Sequence, residues 1–143
     1  MSAKGIRDID VIRTFVLQGT LNFTRYFFKI RQKRKFVIGK HHREIAAALD
    51  KVLCGEITRL IINIAPRYGK TELAVKNFIA EGLAINPKAK FIHLSYSDDL
   101  ARDNSRGVQD IINEPEYRRI FPATIPTSTN TKKWYTTEGG GLY

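Results

Sequence analysis

The sequence predicts an α/β fold, a parallel sheet flanked by helices, and three observations point to it. From Arg43 the apolar positions Ile45, Leu49, Val52 and Leu53 repeat on one helical face, and Gly55 is a natural stop. Two short apolar runs follow, Arg59-Leu60-Ile61-Ile62-Asn63-Ile64 and Phe91-Ile92-His93-Leu94, each with the pattern of a strand buried on both faces. Each run leads into a helical pattern, and the alternation helix, strand, helix, strand, helix is the mark of a parallel sheet.

Taken in order, the chain opens with helical spacing at Val11, Ile12, Phe15 and Val16, broken at Gly19-Thr20. Residues 21–30 are aromatic-rich, with Phe23, Tyr26, Phe27 and Phe28, and run into the basic stretch Arg31, Lys33, Arg34 and Lys35. Aromatic and basic residues interleaved in this way either stack on bases and hold phosphates or form a core stripe beside a solvated edge. After the helix ending near Gly55 and the first apolar run, the loop Ala65-Pro66-Arg67-Tyr68-Gly69 leads into a predicted helix over about 70–83, which Asn86-Pro87 ends. After the second run, Ser97 is a candidate N-cap and Asp98 and Asp99 favour a helix N-terminus; that helix runs to about Asn113. Beyond Pro115 the pattern turns irregular, with Tyr117, Ile120 and Phe121 as packing residues. Trp134-Tyr135-Thr136-Thr137, then Glu138-Gly139-Gly140-Gly141, then Leu142-Tyr143 reads as a hairpin cut off in its second strand.

A length of 143 residues suits one hydrophobic core, and 43% apolar with 27% charged residues is the balance of a folded soluble protein. Lys and Arg number 24 against 14 Asp and Glu, a net charge of +10. Such a chain attracts polyanions, nucleic acid first among them, although a solvated basic surface with no dedicated partner has the same composition. Cys54 is the only cysteine, which excludes a disulfide or a Cys-based metal site within the chain and fits a reducing cytosol. The stretch Met1 to Asp10 is charged and lacks the apolar core of a signal peptide, and no apolar run approaches the roughly 20 residues of a membrane span. The expectation is a soluble, cytoplasmic protein.

Chemistry concentrates at Gly69-Lys70-Thr71, where the first apolar run turns into a helix. Gly69 lets the backbone approach a phosphate, and the amides that follow point at it from a helix N-terminus. Lys70 would bring charge to the β and γ phosphates, and the Thr71 hydroxyl would ligate Mg²⁺. The generic phosphate loop has a glycine five residues before Gly69; here that position is Ile64. An ordinary strand-to-helix turn with an exposed lysine is the plain alternative.

The segment from Leu60 to Glu72, with Pro66-Arg67 ahead of Gly69-Lys70-Thr71, resembles the variant Walker A loop of phage terminase large subunits, in which the first glycine is often missing. The similarity extends over residues 36–143: upstream in His41-His42, the amphipathic helix and Gly55-Glu56-Ile57, downstream in Ser95-Tyr96-Ser97, residues 117–122 and residues 134–141. The resemblance implies a P-loop NTPase-like parallel sheet, an ATPase that translocates double-stranded DNA into a capsid, and the cofactors ATP and Mg²⁺. It implies as partners DNA, the portal and the small terminase subunit, and a homo-oligomeric ring in the whole protein, acting in the cytoplasm of the host cell. Residues 1–35 would be a helical, basic N-terminal segment and residues 36–143 the N-terminal part of the ATPase domain. Carried over, Arg67, Tyr68, Gly69, Lys70 and Thr71 contact the nucleotide and its metal. Arg67 either senses the γ-phosphate and stabilises transition-state charge or orders the loop through a salt bridge. Phe36 and His42 are candidates for the adenine edge, by stacking and hydrogen bonding, or are core residues.

In that family the acids that hold Mg²⁺ and activate water come after a glycine-rich segment like residues 138–141, and a C-terminal nuclease follows. The sequence therefore reads as the N-terminal part of a terminase large subunit, ending before the Walker B strand. Asp98 and Asp99 fit a helix N-terminus better than that acidic pair. A piece of another P-loop ATPase such as a helicase, and a non-enzymatic nucleic-acid-binding module, are the competing readings.

Overall fold

A computed structural model describes residues 8–143. The charged stretch Met1 to Arg7, part of the N-terminal reading above, lies outside the described residues. Two helices open the chain, α1 (Asp8–Val16) and α2 (Thr20–Gln32), separated at Gly19. Phe23 and Phe27, one turn apart on α2, are fully buried, so these aromatics are core. Their rings lie 4.6 Å apart between centroids, and Phe27 meets Tyr117 at 5.4 Å. The α3 helix (Lys40–Leu53) buries Ile45 and Leu49 on the face the sequence marks, and Gly55 follows it at φ 82, where a side chain would be strained.

The helix after the loop opens at Lys70 and widens at once into a π-helical turn, Glu72–Asn77, before continuing as α4 (Phe78–Ile85). The Asn77 side-chain amide donates to the Glu72 carbonyl at 2.8 Å inside that turn. π-turns expose or redirect side chains and recur at functional sites. The α5 helix (Asp98–Asn113) is capped by Ser97, whose Oγ accepts from the Leu100 amide at 3.5 Å. Gly107 on α5 admits the Lys76 stem, since a Cβ there would lie 2.7 Å from it. Beyond it the segment read as irregular forms α6 (Pro115–Ile120), with Pro115 in its first turn and Tyr117 and Ile120 fully buried.

The α/β parallel-sheet fold is not what the chain adopts. Just over half of the described residues are helical, and the sheet they form has three strands of two residues each, β1 (Lys90–Phe91), β2 (Trp134–Tyr135) and β3 (Gly141–Leu142), in the order β1-β3-β2. Only the β1–β3 pairing is parallel; β2 and β3 form the antiparallel hairpin. Residues 59–64 form no strand: among the described residues, no backbone–backbone hydrogen bond joins residues 58–68 to another segment. Ile62 and Ile64 pack toward Ile45, Leu49 and Leu73, while Ile61 is 85% exposed. An apolar run signals burial on two faces only if a second layer exists to cover the far side. Here α3 and the π-turn supply one layer, and the ladder neighbours are absent. In the second run the pairing with β3 continues as far as the His93 amide, which donates to the Tyr143 carbonyl, but Ile92 and Leu94 are 76% and 85% exposed rather than buried.

Most of the core lies between α2, α4, α5, α6 and the inner face of the small sheet. Trp134 is completely buried there, and its indole N–H donates to Ser105 Oγ at 3.0 Å.

Candidate phosphate-loop site

The loop between residues 59–64 and the π-turn carries two left-handed residues, Arg67 at φ 68 and Gly69 at φ 76. For glycine this conformation is free; for arginine it costs on the order of 1 kcal/mol and persists where the surroundings enforce it. Left-handed residues within such a turn aim main-chain N–H groups into a concavity that suits an anion. The Leu73 amide bonds to the Gly69 carbonyl at 3.0 Å, so the amides just ahead of it belong to the orphan donors of a helix N-terminus. Lys70 and Thr71 occupy that first turn and are exposed.

The loop is held from the side by His42. The Gly39 amide donates to His42 Nδ1 at 2.9 Å, which places the imidazole proton on Nε2, and Nε2 donates to the Tyr68 carbonyl at 2.7 Å. Burial lowers the His42 pKa below its ordinary value and the neighbouring His41 adds to this, against the Tyr68 carbonyl, which raises it. A neutral ring is what both hydrogen bonds require. A Cβ at Gly69 would lie 2.8 Å from His42 Nε2, so glycine is needed here for room as well as for its φ.

Cavities lie on either side of the loop. One, of about 560 Å³, is lined by Ile64 to Arg67, Gly69 to Glu72, Lys76, Tyr96 and Leu100. The other, of about 510 Å³, is lined chiefly by Phe28, Arg34, Phe36, Val37, His41, His42 and Tyr68, and shares Arg67, Gly69 and Glu72 with the first. The first carries the cations Arg67, Lys70 and Lys76 in its lining; the second is walled by rings, with Phe36 centred 4.9 Å from His42 and 5.1 Å from Phe28.

The structure thus brings Phe36, His42, Arg67, Tyr68, Gly69, Lys70 and Thr71 around one loop. Both His42 ring nitrogens are engaged with main chain, so its place is that of a strut under the loop. Arg67 is exposed and faces both cavities. Asp98 and Asp99 stand on the first turn of α5 and line neither cavity; Asp98 pairs with Arg102 at 2.6 Å. Of the basic stretch after α2, Arg31 is drawn into an ion pair with Glu72, and Arg34 lies 5.7 Å over the Phe28 ring. Arg31 is therefore no free cation for a nucleic acid.

Sequence reasoning missed Glu72, Lys76, His41, Tyr96 and Leu100. Glu72 is the sole carboxylate lining either cavity, and it is held by Arg31, by the Asn77 amide at 3.0 Å and by Lys76 at 3.9 Å. Its place directly after Thr71 was the available signal; nothing in sequence pairs it with a residue 41 positions away. Among the described residues no group of three or more His, Cys, Asp or Glu side chains is placed to hold a metal. No helix among the described residues is long and apolar enough to cross a membrane. No family model, curated protein or solved structure matches this chain.

Proposed function

We propose that the loop binds the phosphates of ATP with Mg²⁺, and that the chain is the ATP-binding portion of a phage DNA-packaging motor of the terminase large-subunit kind. The observation that carries the nucleotide reading is the pair of left-handed residues, Arg67 and Gly69, opening directly into the helical turn of Lys70 and Thr71. Amides from that turn and the Lys70 ammonium would bind the phosphates, and the Thr71 hydroxyl would reach the metal. Arg67, exposed at the rim, is available to the γ-phosphate. The ring-walled cavity on the other side of Gly69 suits a nucleobase, with Phe36 as its stacking surface. Bound Mg²⁺ supplies charge neutralisation at the phosphates; everything else in the site is done by this chain's own side chains and amides. The terminase reading rests on Pro66-Arg67 ahead of Gly69-Lys70-Thr71.

Phosphoryl transfer to water also needs a carboxylate that positions the nucleophile. Glu72 is committed to Arg31 and Lys76, so the described residues bind nucleotide without hydrolysing it at a useful rate. Titration with a fluorescent ATP analogue tests the assignment. Saturable, Mg²⁺-dependent binding that Lys70→Ala removes is the expected result; equal binding by the two proteins would refute it.

A further inference from the structure

The interleaving of aromatic and basic residues that α2 absorbs into the core reappears, exposed, on the outer face of the small sheet. Register fixes which residues share that face. Tyr135 stands opposite Gly141, Lys90 stands opposite Gly141 from the other side, and Trp134, Leu142 and Phe91 form the inner row. One step on, the Tyr143 amide donates to the Phe91 carbonyl and its carbonyl accepts from the His93 amide, which aligns Tyr143 with Ile92. Alternation then puts Lys133, Tyr135, Tyr143, Lys90 and Ile92 on one side of the sheet. The two tyrosine rings meet edge to face at 5.5 Å, and Lys133 Nζ lies 5.3 Å from the Tyr135 centroid and 4.8 Å from that of Tyr143.

We propose that this face binds single-stranded nucleic acid, bases stacking on Tyr135 and Tyr143 and phosphates pairing with Lys133 and Lys90. Three features favour this occupant over an apolar protein surface. The charges that act on Tyr135 are Lys133 and Lys90, both cationic. The Tyr135 hydroxyl beside Lys133 raises its pKa further above the ordinary lysine value. The carboxylate sharing a cleft with Tyr143, Asp98, is already neutralised by Arg102 at 2.6 Å. Tyrosines on an open sheet flanked by lysines give a stacking platform inside a positive field, and stacking is indifferent to which base is presented. A duplex keeps its bases stacked on one another and cannot use the rings, so the preference is for unpaired strands. The chain as a whole is cationic, with a net charge of +10.

Fluorescence anisotropy with a labelled oligothymidylate, the matching duplex and anionic vesicles as competitor tests the site on the full chain. The expected results are tighter binding of the single strand than of the duplex, and a loss of about tenfold or more when Tyr135→Ala and Tyr143→Ala are combined. Tyr135→Phe should retain affinity, because it keeps the ring. Lys133→Gln, at an exposed position that leaves the core untouched, should flatten the salt dependence by roughly 0.7 in log–log slope, the value for one released counterion on a single strand. No binding to the single strand, equal binding of strand and duplex with the tyrosine variants unaffected, or displacement by vesicles but not by unlabelled strand would each overturn the proposal.

Discussion

Two apolar clusters of very different size hold this molecule together, and the phosphate loop rests on the smaller. The larger joins Phe23, Phe27, Leu83, Val108, Ile111, Tyr117, Trp134 and their neighbours from five helices and the sheet. The smaller is Ile45, Leu49 and Leu73, covered by Ile62 and Ile64 of the unpaired segment. Among the described residues the larger buries fourteen side chains, eleven of them with no exposed surface at all. Beside the smaller, Ile61 stands 85% exposed, and among the described residues no backbone–backbone hydrogen bond joins residues 58–68 to another segment. Few buried contacts and unpaired backbone are the signs of a region that opens at low cost. The difference teaches that stability and the candidate chemistry are carried by separate parts of the chain, so substitutions can act on one without the other.

Truncation in the large cluster should have the greatest effect. Phe27→Ala removes a fully buried ring packed on Phe23 and Tyr117, and should cost about 3–5 kcal/mol in urea unfolding, with ATP binding lost only as the protein unfolds. Leu73→Ala empties the centre of the small cluster, directly under the loop, and should cost about 2 kcal/mol, the lower end for such a change because half-buried neighbours can collapse inward. Its affinity for ATP should fall at temperatures where circular dichroism still reports a folded chain. If Phe27→Ala and Leu73→Ala weaken binding in proportion to stability alone, the two regions are not separable.

The large cluster holds a buried carboxyl. Glu81 is 1% exposed, its Oε2 lacks a partner, and burial pushes its carboxyl from the ordinary 4.5 up to about 8; the Asp50 charge raises it further and Thr20 opposes. Between those values the folded chain keeps the proton and the unfolded chain has released it. The stability from this group is therefore complete below about pH 4.5 and is lost as pH rises toward 8. Thermal melts of the wild type from pH 5 to pH 8 should show that decline, and Glu81→Gln should flatten it. A variant with the wild-type slope would remove Glu81 as its source. The smallest effect is expected at Ile61→Thr, exposed on the unpaired segment, which should change stability by no more than about 0.5 kcal/mol.

Local pattern made some of this legible and long-range pairing hid the rest. Helix α3, its glycine stop and the Ser97 cap could be read because each depends on residues within a turn or two of one another. The turn ahead of Lys70 and the helix start there could be read because proline and glycine mark a turn locally. The sheet could not: apolar run 59–64 looks the same whether neighbours pair with it or not, and the structure leaves it unpaired. Helix α6 was obscured by its proline, which sits harmlessly in a first turn. His42 was marked for a base edge; the structure gives both ring nitrogens to main chain, through a contact 26 residues away that no pattern announces. Arg31 and Glu72 are likewise joined only by the fold.

The most direct test of the central claim is a map of amide chemical shifts during titration with ATP and Mg²⁺. If the left-handed loop and the helical turn after it are the phosphate site, the largest changes should fall on residues 67–72, with smaller ones across the loop at Phe36 and His42, and Lys70→Ala should remove them all. Shifts spread evenly over surface lysines and arginines, or centred elsewhere and unaltered by Lys70→Ala, would contradict the account.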